Sequence, residues 1–220
     1  MKAFKKIITI TAVIVVFISS AFLGLWSRKK ITHYRELKEE VQDLRYLKEK
    51  ENRIKSMEQT LMVQYKLSWY EAHYYSIIMD DFSQRDSIPW QIYAAMIRIE
   101  SNFNPTGVSS KGARGMTQVI EPTGKSVAKE LGIPYKEKMT LWNDIVNMVI
   151  GFHYLGQNIK KMGLEDGIKA YIGGPGFKKG RKDIRRYRTT VQWEFERLQY
   201  IHAGIMNGDY DFHGAVNGDR

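Results

Sequence analysis

The sequence predicts a mainly α-helical protein, with a compact helical domain behind an N-terminal membrane helix and a charged helical stalk. Three observations carry this. Residues Ile7 to Trp26, IITITAVIVVFISSAFLGLW, hold no charged side chain. From Ile31 to Lys66 the chain is dense in Lys, Arg, Glu and Gln and has neither Gly nor Pro. Beyond Leu67 apolar residues recur at helical spacing, while alternating runs closed by hairpin turns are weak throughout.

The first segment is about as long as a helix needs to be to cross a bilayer. Lys2, Lys5 and Lys6 precede it and Arg28, Lys29 and Lys30 follow, so the flanking charges do not set its orientation. Ser19, Ser20 and Ala21 leave a cleaved signal peptide as the competing reading, and the length of the apolar run favours an uncleaved anchor over residues 1–30. Residues 31–66 follow as the stalk. Tyr34, Leu37, Val41 and Leu44 keep a heptad, and the seam then jumps to Leu47, Ile54, Met57 and Leu61. That pattern is too short and broken for a stable coiled coil and also fits a helix packed on the main domain.

The compact domain is expected over residues 67–202. SWYEAHYYSIIMDDFSQRD forms its first helix, and Ile88-Pro89 introduces the next. The Gly/Ser loop TGVSSKGARG separates that helix from MTQVIEPTGKSVAKELGI. Ile145, Val149, Phe152 and Leu155 mark one face of a further helix, and another ends in AYIGGPGFKKG. Residues 203–220, rich in Gly, Asn and Asp, read as a flexible tail.

Composition narrows the chemistry. With no cysteine there is no disulfide framework, cysteine zinc site or thiol nucleophile. The five histidines are scattered without ligand spacing, so neither metal nor cofactor is expected. The net charge of +10 points to an anionic partner, and the strongest patch is KKGRKDIRRYR, residues 178–188. No zinc-finger, RNA-recognition or clear helix-turn-helix pattern accompanies it, so nucleic acid is not expected as a partner.

One carboxylate stands out, in YAAMIRIESNFNP. Glu100 falls three, four and seven residues after Ile97, Met96 and Tyr93, on the apolar stripe of its helix. Asn104-Pro105 biases the chain away from helix, which puts Glu100 in or just past the last turn. Semi-burial and the helix dipole there both favour a protonated, proton-donating acid. A frayed end with Glu100 turned to solvent fits the pattern equally well.

Four ordered motifs decide between these readings. They are Glu100-Ser101; Gly115-Met116-Thr117-Gln118 with Thr123 after it; Asn147, Gly151, Tyr154 and Leu155; and Ala170, Tyr171 and Gly174 followed by the segment from Tyr187. Together they resemble the lytic transglycosylases of the goose-lysozyme-like, soluble-transglycosylase (SLT) superfamily, over roughly Asp80 to Ile201. Two positions depart from the pattern, Thr117 for a methionine and Ile172 for an asparagine.

The resemblance implies a lysozyme-like helical domain cleaving the β-1,4 MurNAc-GlcNAc bond of peptidoglycan with 1,6-anhydro-MurNAc ends. Glu100 would serve as acid and then base, since no second carboxylate among Glu121, Glu130, Asp144 and Asp166 matches a catalytic position. Ser101 would orient the acetamido group or the acid, while Gln118 and the backbone around Met116 would line the cleft. Tyr171 would sit close to Glu100, with Gly174 and Tyr187 completing the substrate-binding set; Met116 also reads as core, and Gly173, Gly174 and Gly176 as a turn. The alternatives are a hydrolytic muramidase on the same fold and a non-catalytic peptidoglycan-binding or assembly protein. The expected partners are peptidoglycan strands, the membrane through the N-terminal helix, and, as an open addition, a cell-envelope complex. The expected location is the cytoplasmic membrane, single-pass, with the catalytic domain on its outer side.

Overall fold

The computed structural model describes the backbone of residues 2–174, 177 and 181–209; the side chains of 2–16, 25, 137 and 138 are outside the description. The chain forms α1 (Lys2–Tyr65), α2 (Trp69–Asp86), α3 (Trp90–Glu100), α4 (Glu121–Glu130), α5 (Glu137–Thr140), α6 (Asp144–Met162), α7 (Leu164–Gly173) and α8 (Lys182–Asn207). Among the described residues there is no strand, only isolated bridges of Arg114 to Val108 and to Val119.

The chain divides into two compact units, Met1–Glu51 and Asn52–Arg220. In the first, α1 keeps its apolar side chains in solvent: Phe17, Phe22, Trp26, Tyr34, Leu37 and Leu44 are all exposed. Among the described residues no helix is long and apolar enough to cross a membrane. Much of the expected span 7–26 belongs to the residues whose side chains are not described.

The second unit begins at Asn52, not at the expected Leu67. The end of α1 is core: Met57 and Leu61 are buried with Met79, Ile92 and Met96. Polar ties reinforce it. Arg53 Nε donates to Asp80 Oδ1 at 2.8 Å, and Tyr65 donates to Glu194 at 2.7 Å. Thr60 Oγ1 lies 3.1 Å from His202 Nδ1. A charged sequence conceals this because a stripe of every third or fourth residue suffices to bury one helix face.

α2 opens on a capping box, with Ser68 Oγ accepting from the Glu71 N–H and Glu71 accepting from the Ser68 N–H. α3 is the central helix, buried from Trp90 to Ile97. It packs on α8 and α2, while α6 packs on α2, α4 and α7. A smaller cluster of Val119, Val127, Leu141 and Ile150 joins α4 to α6. α8 runs to Asn207, so residues 203–207 of the expected tail are helical, and 210–220 lie outside the described residues. Gly176 and residues 178–180 of the basic run are outside them too.

Candidate active site

Glu100 is the last residue of α3. The helix stops because Asn102 and Phe103 both take left-handed backbone angles, φ +54° and +59°, uncommon for residues with a side chain. Phe103 holds the turn in place. It is buried, its ring 4.5 Å from that of Tyr65 and 6.3 Å from that of Tyr75. The sequence expectation, Glu100 in or just past the last turn, agrees with this end of α3, and the chain has turned before Asn104-Pro105 is reached.

Burial pushes the Glu100 carboxyl up from the ordinary 4.5 to about 7, because the charged form loses water and gains no cation. One contact opposes this. Tyr187, on α8, donates to Glu100 Oε1 at 2.6 Å and favours the carboxylate. The phenols are displaced in turn: Tyr187 and Tyr171 are both raised well above 10, by burial and then by the Glu100 charge. At neutral pH the site therefore holds an acid near half-protonation between two tyrosines that keep their protons. Such a group can donate a proton and take one back.

The segment 115–118 is fastened to its neighbours by its own polar groups. Ser101 Oγ donates to the Met116 carbonyl at 2.7 Å, and the Tyr171 hydroxyl donates to the Thr117 carbonyl at 2.6 Å. Asn147, fully buried on α6, accepts from the Thr117 N–H at 2.8 Å and the Thr117 hydroxyl at 2.7 Å. Its amide nitrogen donates to the carbonyls of Arg114 (2.9 Å) and Leu141 (3.2 Å). Two glycines allow this approach. A Cβ on Gly115, whose φ is +74°, would stand 2.4 Å from Asn147 Nδ2, and one on Gly151 would stand 2.3 Å from Thr117 Oγ1.

The sequence-predicted residues thus fall into distinct places. Tyr187 touches Glu100 directly, and Tyr171 lies close enough to feel its charge. Ser101 turns its hydroxyl proton to the Met116 carbonyl, so its donor is spent on the loop. The Met116 side chain is wholly buried as core. Gln118, at φ +50°, donates from Nε2 to the carbonyls of Gly107 and Gly115, both at 3.0 Å. Gly174 ends α7 at φ +76°, its N–H on the Ala170 carbonyl, and a Cβ there would meet nothing within 4 Å. Its glycine answers a backbone angle. Thr117 is a fully buried link to Asn147, whereas Ile172 is 45 % exposed.

Sequence reasoning missed a buried carboxylate, Glu194, 3 % exposed on α8, which accepts from Tyr65 and has Arg197 at 3.5 Å. The signal was present. Tyr187, Val191, Glu194 and Leu198 form one buried stripe, and Glu194 interrupts it as Glu100 interrupts its own. It contributes nothing to the displacement of Glu100, whose causes are burial and Tyr187. Among the described residues no group of three or more His, Asp or Glu could hold a metal ion.

The family model of the transglycosylase SLT domain matches residues 78–194, over half of the chain. A Haemophilus influenzae protein described as a soluble lytic murein transglycosylase is 33 % identical over 63 residues, 29 % of this chain and 11 % of that protein. An inactive mutant of the lytic transglycosylase Slt from Pseudomonas aeruginosa is similar at 21 % identity and a TM-score of 0.44, over 69 % of this chain and 30 % of that one. The 70 kDa soluble lytic transglycosylase of Escherichia coli is similar at 20 % identity and a TM-score of 0.43, over 77 % of this chain and 30 % of that one. The chain therefore spans about a tenth of the length of the curated relative and under a third of these solved structures.

Proposed function

Because the chain belongs to the transglycosylase SLT domain family, we propose that it is a lytic transglycosylase cleaving the β-1,4 MurNAc-GlcNAc bond of peptidoglycan with formation of 1,6-anhydro-MurNAc ends. The observation that carries the reading is Glu100, a half-buried carboxyl raised to about 7, hydrogen-bonded to Tyr187 and with no second carboxylate among the causes of its shift. Protonated Glu100 gives its proton to the glycosidic oxygen as the C1–O bond breaks. The acetamido oxygen of the same sugar steadies the cationic C1. Glu100, now a carboxylate, takes the C6 hydroxyl proton as O6 bonds to C1, closing the anhydro ring without water. A residue near half-protonation at neutral pH suits both halves. A glycosidase working through a pair of carboxylates requires two of them flanking the bond, whereas this reading asks for Glu100 alone.

The remaining residues divide by what they touch. Tyr187 and Tyr171 are in reach of Glu100, while Ser101, Gln118 and Asn147 hold the 115–118 loop in register. We infer a membrane anchor at Ile7–Trp26, with the catalytic unit on the outer side of the cytoplasmic membrane. Supporting it are the uncharged run and the exposure of Phe17, Ile18, Phe22, Leu23 and Trp26 on α1. The test is mass spectrometry of fragments released from purified sacculi by the full chain in detergent, beside Glu100→Gln. Anhydro-muropeptides from the wild type alone are expected; reducing ends would make it a muramidase, and binding without release a non-catalytic wall protein.

A further inference from the structure

Tyr65 and Glu194, which the proposed chemistry leaves unused, close a circuit of contacts around Glu100. Tyr65 is the half-buried last residue of α1, and the chain turns out of that helix at Lys66, whose φ is +58°. Its two ends meet different elements. The ring lies 4.5 Å from that of Phe103, the buried residue of the turn that ends α3, three residues after Glu100. The hydroxyl donates to Glu194 Oε1 at 2.7 Å on α8, and Arg197 Nη1 stands 3.5 Å from the other oxygen, Oε2. Glu194 follows Tyr187 by seven residues on one buried stripe, about two turns along the same helix. Tyr187 then returns to Glu100 Oε1 at 2.6 Å.

Each link bears on where the acid stands. Burial, and then the hydrogen bond and charge of Glu194, raise the Tyr65 phenol far above 10 against the opposing charges of Arg197 and Arg98, so the hydroxyl stays a donor. A buried carboxylate is costly to leave unmatched, and this bond therefore fixes Glu194 in place. One side chain thus steadies the end of α3 through its ring and α8 through its hydroxyl. The Glu100–Tyr187 bond needs both, because its two partners stand on those two helices. Neither Tyr65 nor Glu194 is among the causes that shift Glu100, whose neighbours in the site are Tyr187 and Tyr171. What passes round the circuit is position.

We propose that Tyr65 is a positioning residue for Glu100, anchored on Glu194, which holds the end of α3 and α8 in the register that the Tyr187 bond requires. The inference rests on the reading of Glu100 as the acid. Tyr65 lies outside the matched residues 78–194, so the family match assigns it nothing.

The experiment is carbon-13 NMR titration of the Glu100 carboxyl in the full chain in detergent, its resonance identified by its absence from Glu100→Gln. The wild type is expected to titrate at about 7. Tyr65→Phe keeps the ring and loses only the hydroxyl. Its midpoint is expected to rise by about half a pH unit, less than the shift of about one unit for Tyr187→Phe, because a slackened α8 weakens the bond that favours the carboxylate. In Tyr65→Phe with Tyr187→Phe the midpoint is expected where Tyr187→Phe alone puts it, since the first acts through the second. Glu194→Leu is expected to match Tyr65→Phe, and Glu194→Gln, which keeps an acceptor, to lie between it and the wild type. Release of anhydro-muropeptides by Tyr65→Phe is expected to fall about tenfold. An unmoved midpoint, which a merely structural hydroxyl gives even where Tm falls, overturns the proposal; so does a double variant whose shifts add, and so does wild-type speed of release in Tyr65→Phe. The two readings fail separately: a midpoint that moves as stated in a chain that releases no fragment removes the enzymatic reading alone, and release of fragments with a midpoint indifferent to Tyr65 removes this role alone.

Discussion

The Glu100 carboxyl accepts one hydrogen bond, from Tyr187, in surroundings that disfavour its charge, whereas Asn147 matches its amide to the backbone of Arg114, Thr117 and Leu141 and to the Thr117 hydroxyl. The first arrangement leaves a group able to change protonation; the second leaves nothing free to change. A site that transfers a proton between fixed atoms needs both. Under the proposed function, the group that exchanges the proton is held short of satisfaction, and the backbone that Ser101 and Tyr171 grip is over-determined.

The sharpest way to break this contrast is Glu100→Gln, expected to lower glycan cleavage by about 10³-fold or more, at the upper range of general acid catalysis. The same substitution tests the unsatisfied character of the acid. The carboxyl ionises near 4.5 when unfolded and near 7 when folded. Between those values the folded state binds more protons, so the wild type loses stability as pH rises from about 4.5 to 7 and recovers none above. Thermal unfolding at pH 8 should find Glu100→Gln the more stable by up to about 3 kcal/mol, the gain vanishing below pH 4.5. A variant equally stable at both pH values would mean that Glu100 carries no buried charge.

On the other side of the comparison, Asn147→Ala should cost about 2–4 kcal/mol in urea unfolding, since it strips the Thr117 N–H and two buried carbonyls of their partner. Activity should fall with it, through a misplaced loop, without moving the pH profile. Gly151→Ala comes next, at about 1–3 kcal/mol, because its new Cβ would crowd Thr117; an unchanged Tm would show that the loop can yield. Tyr187→Phe is the smallest and the most diagnostic. Its hydrogen bond favours the charged acid, so its loss should move the alkaline limb of the pH–rate profile upward by about one unit. A downward shift would reverse the sign assigned to this contact.

Glu100 was singled out in the chain by the stripe it shares with Tyr93, Met96 and Ile97, and only the ordered motifs favoured a functional acid over a frayed end. Tyr187 and Tyr171 entered through motif order alone; nothing local in YRTTV says that its tyrosine reaches back to Glu100. The link of Thr117 to Asn147 and Gly151 was not legible. Thr117 entered only as a departure from the motif, and in three dimensions it is a matched contact. The compact unit likewise began earlier than expected, because the side chains that bury Met57, Thr60 and Leu61 lie far along the chain on α2, α3 and α8.

By itself the sequence determined what depends on neighbours a few residues away: the helices, their capping, the apolar faces, and an acid at the end of the most buried helix. Tertiary structure alone decided what that acid is bonded to and which loop is clamped. Periodicity says which face of a helix turns inward. It does not say which distant side chain waits there, and both a pKa and a hydrogen bond are set by that distant group.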